Sequence, residues 1–471
     1  MKNDVTLTHS DYDKNIALWQ KVDDVCSGQD AIKEKATEYL AKLDPNNFSN
    51  EENLRYLNYL ARAVFYGFTT HTLKSNIGLA FKKWPKLEVP SVLDYVIEDV
   101  DGGGLSIYQQ SQKVVSEVLK KGRTILYVDY PSVDPKSVSV ADLEQGYIRP
   151  VILNIKADFV RYWETKRFGA KHKLSLVVIQ EQDKSPRDGF GYDLIDQYRV
   201  LRFDGQFYTV EIWRKGQHDW ELYQAPQIVL DGSGRPFNEI PLIFVGSENN
   251  NPDIDSSPLL ELANLNLAHY ENSASYEWSV FFCGMIQAWI GGLPEQWRDW
   301  LDKKGIKIGS SGVLLLPDGS TFNFAQAKPN TLAFEAMTDK KQQMLSMGAR
   351  LSEQGTAIKT ATQAQNEVDA STSVLSLIVN NVSDAYTKCL KWMLMFLNVS
   401  VDGVEYIINS DFSDNSFDAQ KITALVAAYN AGLLPKADAF NQLRKYGLIN
   451  PEKTDEDIKD ELENDTGGMN V

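Results

Sequence analysis

The stretch IPLIFVGSENNNPDIDSSPLLELANLNLAHYENSASYEW, residues 240–278, contains the change of pattern on which the fold depends. Its first six residues, 240–245, are an apolar run of strand length. The turn NNNP at 249–252 ends that strand, because Asn and Pro favour turns. Ser257-Pro258 then predicts a helix start, since Pro is favoured at the first helical position. The stretch therefore predicts a strand, a tight turn and a long helix that runs to about Cys283.

Two different patterns precede this stretch. Residues 1–122 read as helical, and a capping box from Ser49 to Glu52 predicts one long helix with apolar positions from Leu54 to Phe68. At 123–246 the sequence pattern changes from that of helices to that of strands. Within this part, Asp204-Gly205 is a two-residue hairpin signal. The predicted strands are 124–130, 151–155, 174–180, 198–203 and 207–213.

The chain after the stretch is again mainly helical. An insert at 284–330 contains three tryptophans and a predicted strand at 313–316, turned by Asp318-Gly319. Helices are predicted at 331–353 and 367–397, separated by the polar segment GTAIKTATQAQN at 355–366. A short strand follows at 404–408, and two short helices at about 416–431 and 436–446. The predicted fold class is α+β, with helices dominant.

The composition excludes several classes of protein. The 471 residues carry 48 Lys and Arg against 64 Asp and Glu, a net charge of −16, which disfavours gripping nucleic acid over a whole surface. Three scattered cysteines predict no disulfide framework and fit a reducing cytosol. The N-terminus lacks a signal-peptide pattern, and the longest apolar run, 280–290, is too short to span a membrane. No membrane association is expected.

Catalytic motifs are absent from the sequence. It contains neither an HExxH zinc motif nor a GxxxxGK[ST] phosphate loop. His218, Asp219 and Glu221 could form a metal corner, but a solvated strand face is the favoured interpretation. Asp253 and Asp255 could act as paired carboxylates, but beside Asn and Pro they indicate a turn. We therefore predict no catalytic residue, no metal ligand and no cofactor, and expect that the protein is not an enzyme.

The order of these elements resembles that of portal proteins, the head-to-tail connectors of tailed bacteriophages. Three segments carry the resemblance: the strand, turn and helix of 240–278 with Tyr270 and Ser273, the helix–loop–helix run of 331–397, and FDAQKITALVAAYNAGLLPKADAFNQLRKYGLI at 417–449. The N-terminal KLDPNNFSNEENLRYLNYLARAVFYGFT is similar to a branch of portal-like phage proteins. The resemblance covers most of the chain, although the β-rich part matches by position only.

The resemblance implies a portal fold divided along the chain. The implied parts are a wing with a helical N-terminus and a β-rich part (1–256), a first stem helix (257–283), a small α/β clip (284–330), a second stem helix (331–354), a tunnel loop (355–366), a tunnel helix with a return to the wing (367–411), and a helical crown with an acidic tail (412–471).

The same resemblance implies a function and partners. The chain would form a ring, usually of twelve copies, at a capsid vertex, and double-stranded DNA would pass through its channel during packaging and ejection. Implied partners are the large subunit of terminase, the head-completion or tail adaptor proteins and the major capsid protein. The implied locations are the virion and, during assembly, the host cytoplasm. An acidic channel would repel phosphate, so that DNA contact is weak and independent of sequence.

Particular residues follow from this assignment. The tunnel loop would contact DNA, as would the basic residues of the second stem helix, and the tryptophans of the clip would form a docking surface. The predicted loop residues are Thr356, Lys359, Thr360, Thr362 and Gln363. The predicted stem residues are Lys340, Lys341 and Arg350. The predicted docking residues are Trp289, Trp297 and Trp300.

Two alternatives remain open at the level of sequence. The chain could be a phage structural or scaffold protein without a channel. Less favoured is a hydrolase with an unrecognised site in the β-rich part, which would require clustered titratable residues.

Overall fold

The computed structural model describes residues 4–130, 148–217, 219–304, 316–327, 331–351, 373–410, 412, 425–429, 431–445, 449–450, 453–458 and 461, with no side-chain description at 304, 349, 350 and 445. The chain divides into two units, Met1–Ser410 and Asp411–Val471. Among the helices of these described residues, none is long and apolar enough to cross a membrane.

Helices and strands are mixed along the first unit, which confirms the predicted α+β class. Its helices are α1 (Ser10–Ser27), α2 (Gln29–Glu34), α3 (Asn50–Arg62), α4 (Phe68–Ala80), α5 (Ile107–Lys121), α6 (Leu260–Gly284), α7 (Glu295–Lys304), α8 (Thr331–Arg350) and α9 (Val374–Phe396). Its strands are β1 (Lys86–Glu88), β2 (Arg123–Asp129), β3 (Val151–Lys156), β4 (Val160–Phe168), β5 (Lys171–Pro186), β6 (Tyr192–Phe203), β7 (Tyr208–Lys215), β8 (Trp220–Ile228), β9 (Leu242–Gly246), β10 (Gln287–Gly291), β11 (Thr321–Ala325) and β12 (Glu405–Ile407).

The core of this unit lies around α9 and a three-stranded antiparallel sheet of order β3-β2-β9. The residues of β9 are all buried, as the apolar run at its position predicts. The Asn-rich turn after β9 is held on α9 by two side-chain amides. Asn250 Nδ2 donates to the Asn381 carbonyl at 2.8 Å, and Asn381 Nδ2 donates to the Gly246 carbonyl at 3.0 Å. The turn therefore fixes where the chain leaves the sheet toward α6.

A separate five-stranded antiparallel sheet has the order β4-β5-β6-β7-β8. The Asp204-Gly205 signal marks its β6–β7 hairpin, but Phe203 pairs with Tyr208, so the loop has four residues instead of the predicted two. The Asp204 carboxylate accepts hydrogen bonds from the backbone N–H groups of Gln206 and Phe207, and Gly205 has a φ of +110°. This local hydrogen bonding stabilises the longer loop.

The prediction of one long helix from Ser49 is wrong. The Ser49 side chain caps α3 by accepting a hydrogen bond from the Glu52 N–H. The helix ends at Arg62, however, and the next helix begins only at Phe68. The break is held by distant side chains. Gln29 Oε1 accepts from the Phe65 N–H at 3.1 Å, and Asn266 Nδ2 donates to the Tyr66 carbonyl at 2.8 Å. Because tertiary partners satisfy these backbone groups, the apolar run does not continue as a helix.

Other element boundaries also differ from the prediction. The helix expected at Pro258 begins at Leu260, and strands β4 and β8 were not predicted. Of the predicted strand 313–316, residues 313–315 lie outside the described residues, and Leu316 belongs to no strand; the strand found in the insert is β11. The helix expected from residue 367 is described from Val374, and 367–372 lie outside the described residues.

A buried ion-pair cluster joins α1 to α5. Lys121 Nζ lies 2.7 Å from Asp23 Oδ2 and 2.6 Å from Asp158 Oδ2, and its side chain is fully buried. Lys120 pairs with Asp23 and with Glu117. Burial alone would raise the pKa of Asp23, but the two lysines outweigh it and hold that pKa below its ordinary value.

The segment that leads into α6 is attached beside this cluster. Ser257 Oγ donates to the Lys120 carbonyl at 2.6 Å, and the Ser247 N–H donates to the Gly122 carbonyl at 3.1 Å. Gly122 has a φ of +69°, and a Cβ there would lie 2.5 Å from the Asp255 carbonyl oxygen. Glycine is therefore required where α5 ends against this segment.

The second unit contains helix α10 (Lys436–Lys445), which confirms the helix predicted at 436–446. Its Arg444 is ion-paired with Asp455. Of the helix predicted at 416–431, residues 425–429 are helical, and 416–424 and 430 lie outside the described residues.

Candidate functional site

A helical hairpin with an insert at its far end is the candidate site. The chain runs along α6, passes through the insert and returns along α8. The rings of Tyr276 and Phe334 pack with centroids 5.9 Å apart, and Gln326 Nε2 donates to the Cys283 carbonyl at 3.0 Å. These contacts join the end of α6 to the start of α8, so the two helices run antiparallel.

The insert is built on a two-stranded antiparallel sheet. Strands β10 and β11 pair from Gln287 with Ala325 to Gly291 with Thr321, and α7 lies between them in the chain. Trp297 and Trp300 of α7 stack edge to face with ring centroids 5.3 Å apart. Trp289 projects from β10 and is 45% exposed. The structure thus places the three predicted docking tryptophans in this insert; their docking role stays a prediction.

Exposed apolar side chains continue from the end of α6 into the insert. Monomeric proteins seldom expose large contiguous apolar patches, so this concentration makes the end of the hairpin a candidate binding surface. The residues concerned are Val280, Phe282, Met285, Ile286, Trp289 and Phe324.

The predicted basic residues of α8 have different surroundings. Lys340 is half-buried and Lys341 is exposed, while Arg350 ends the helix and its side chain is not described. The predicted loop residues Thr356, Lys359, Thr360, Thr362 and Gln363 all lie outside the described residues. The channel role of both groups therefore stays a prediction.

His269 of α6 is a neighbour of these lysines that the sequence reasoning missed. Its ring is buried and lies edge-on against Tyr66 and Phe68, at centroid distances of 5.3 and 5.6 Å. Its Nδ1 has no hydrogen-bond partner among the described residues. Burial lowers the pKa of His269, and the positive charges of Lys340 and Lys341 lower it further. A lone histidine on a helix gave no sequence signal for this arrangement.

Helix α6 lies between α3 and α8. The Tyr59 hydroxyl of α3 lies 3.3 Å from Ser275 Oγ, and the Tyr59 ring packs on Trp278. Tyr276, which contacts α8, projects about 160° away from Trp278 around a helix with ~3.6 residues per turn. The two flanking helices therefore occupy opposite sides of α6.

Arginine and carboxylate side chains line a cavity of about 310 Å³ with walls from both sheets. Arg199 pairs with Asp129 and Glu181, and Arg214 pairs with Asp183. These charges satisfy one another, and the Arg199–Asp129 pair joins the five-stranded sheet to β2.

One of the carboxylates considered for acid–base chemistry makes structural hydrogen bonds. Asp255 accepts from the N–H groups of Glu248 and Asn249, which confirms its predicted place in a turn. His218 lies outside the described residues. No group of three or more His, Cys, Asp or Glu side chains arranged to hold a metal ion occurs among the residues that the structure describes.

A family described as "Domain of unknown function (DUF4055)" matches residues 258–397, a span that includes α6, the insert, α8 and α9. The comparison with curated proteins finds no match.

Three solved structures of gene transfer agent (GTA) particles are similar to the chain at 14% sequence identity. The neck of an empty GTA particle computed with C6 symmetry has a TM-score of 0.39 over 81% of this chain and 91% of that chain. The virion of a native GTA particle has a TM-score of 0.40 over 81% and 89%, and the neck of a native particle computed with C12 symmetry has 0.40 over 79% and 88%. Similarity at these TM-scores does not establish a shared fold.

Proposed function

We propose that the protein is the portal subunit of a tailed bacteriophage or a related particle. In this role it forms a ring at the capsid vertex, through which DNA is packaged and ejected. The observation that carries the proposal is the antiparallel α6–α8 hairpin with the insert at its far end. Its order of helix, insert and helix matches the order of stem helix, clip and stem helix that the sequence resemblance implies.

The exposed apolar surface at the far end of the hairpin supports an assembled state. In water, side chains such as Phe282, Ile286 and Phe324 favour contact with another protein surface. In the proposed ring, neighbouring copies and docked proteins cover this surface. The exposed Trp289 and Trp300 are the aromatic anchors expected at a docking site for terminase or a tail adaptor.

The charge of the chain supports DNA as cargo. A net charge of −16 per copy gives an assembly that repels phosphate, so duplex DNA can slide through it without adhering. In this proposal, Lys359 is the cationic contact of the tunnel loop, and Thr356, Thr360, Thr362 and Gln363 are its small polar neighbours. Energy for packaging comes from a separate terminase, in line with the missing GxxxxGK[ST] motif.

Negative-stain electron microscopy of the purified full chain, combined with light scattering, tests this function. We expect rings with an open pore wide enough for duplex DNA. Rings without such a pore would favour a structural or scaffold protein. A stable monomer under all conditions would contradict the proposal.

A further inference from the structure

We propose that successive copies of the chain join through two different helix faces, the outer face of α3 in one copy and one side of α8 in the next. The inference rests on the proposed ring, and it identifies the surfaces that build it. The α3 surface consists of Leu54, Leu57 and Ala61, and the α8 surface consists of Phe334, Lys341 and Leu345.

The α3 surface faces away from the body of the subunit. Tyr56 and Tyr59 are buried, while Leu54 and Leu57 are 62% and 57% exposed. Positions 54, 57 and 61 follow the spacing i, i+3, i+7, which places them on one stripe. A second apolar stripe on the exposed side of a helix is typical of a surface that contacts another protein.

The α8 surface has the same apolar character. Phe334 and Leu345 are 56% and 52% exposed, and with Lys341 they follow the spacing i, i+7, i+11 on one side of the helix. The α8 stripe is about 16 Å long at ~1.5 Å per residue, and it can lie along α3, whose full length is ~20 Å.

Charges beside the two stripes are complementary. Glu51 is exposed in the first turn of α3, next to Leu54, and Lys341 lies within the α8 stripe. Neither side chain makes an ion pair with another residue of the described structure. A Glu51–Lys341 pair between copies would fix the register of the two helices. In this position Lys341 faces a neighbouring subunit, and not the channel as predicted from sequence.

The positions of the two stripes bear on how one copy contacts its neighbours. Because α3 and α8 lie on opposite sides of α6, one copy can contact two neighbours at once, with its α3 stripe against one and its α8 stripe against the other. Contact between two different surfaces is heterologous, and it continues from copy to copy until a ring closes.

Thiol cross-linking of the full-length protein tests this contact. The variants are Leu57→Cys, Leu345→Cys and the two combined, each treated with a short bifunctional maleimide beside the unmodified protein, whose native cysteines set the background. We expect a ladder of covalent multimers from the double variant alone. The matched control L57C/D339C places its second thiol on another side of α8 and should remain at background.

Covalent dimers from Leu57→Cys alone would overturn the inference, because they require two identical surfaces to meet. Rings in the microscope without a ladder from L57C/L345C would overturn this contact and leave the proposed function intact. Absence of rings and of a ladder would count against both.

Charge reversal provides a second measurement. Lys341→Glu and Glu51→Lys should each reduce the fraction of protein in the large species at sedimentation equilibrium, and the double reversal should restore it. Unchanged assembly in Lys341→Glu would contradict the ion pair and favour the channel role of Lys341.

Discussion

Lys121 and Asp158 form an ion pair of 2.6 Å in which the lysine side chain has no exposed surface. The same ammonium group also contacts Asp23, so one buried cation connects α5 to α1 and to the short helix Ala157–Phe159. Without its carboxylate partners, a buried ammonium group would be strongly destabilised. The N-terminal helix is thereby joined electrostatically to the sheet region.

Replacing Lys121 by Met should lower the free energy of unfolding by about 3 kcal/mol, because it leaves partly buried carboxylates without their cation. Urea denaturation of the purified variant measures the loss. The control is Lys14→Met, which removes an exposed pair with Asp11 and should leave stability nearly unchanged. Equal effects of the two substitutions would contradict the role assigned to the cluster.

Gly122→Ala should destabilise the protein by about 3 kcal/mol, since a new Cβ meets the backbone of Asp255 and Ser256 at positive φ. Gly104→Ala is the matched control. Gly104 also has a positive φ, +84°, but its Cβ would meet open space, so the cost should be about 1 kcal/mol. Thermal unfolding of both variants checks the difference. A similar loss in both would show that the segment before α6 can shift to accept the methyl group.

The stability of the protein should depend on the protonation of His269. Its pKa in the folded state lies below the ordinary value of 6.5. The unfolded chain therefore binds the proton more readily, so the contribution of the neutral ring is present above pH 6.5 and is lost as the pH falls through the folded pKa. The stability difference between the wild type and His269→Gln should shrink from pH 7 toward lower pH, as measured by urea titration at each pH.

His71→Gln serves as the control for this experiment, because His71 is exposed on α4. The same measurements on His71→Gln show the effect of removing an exposed histidine. If the stability difference between the wild type and His269→Gln stayed constant across the pH range, protonation of the buried ring would be excluded as a cause of pH-dependent stability.

Lys359→Ala should alter DNA packaging or retention without preventing ring formation, because a loop cation that touches phosphate contributes to DNA contact and not to assembly. Packaged DNA per particle and ring counts by electron microscopy give the two readouts. Loss of rings in this variant would show that the loop has been assigned to the wrong place.

Local signals in the sequence predicted several elements well. Asp204-Gly205 marked its hairpin because the turn chemistry is contained in neighbouring residues. The capping box at Ser106 is formed by Ser106 and Gln109 alone, so its signal is equally local. In these cases the interactions that decide the structure lie within a few positions of each other.

The break before α4 could not be predicted in this way. Its backbone groups bond to Gln29 and Asn266, which are far away in the chain. The environment of Lys340 beside the buried His269 likewise depends on how α6 and α8 align. Alignment between helices is set by packing across the hairpin, and helical periodicity alone does not contain it.

The anchorage of α6 at Ser257 has a mechanical consequence. Its 25 residues make a rod about 38 Å long at ~1.5 Å per residue, with one end attached to the turn after α5. A tilt of about 5° at that attachment moves the far end by about 3 Å, roughly the rise of two helical residues. A movement of the insert that tilted α6 as a whole would therefore strain the Lys120–Gly122 turn, where Gly122 has no room for a methyl group.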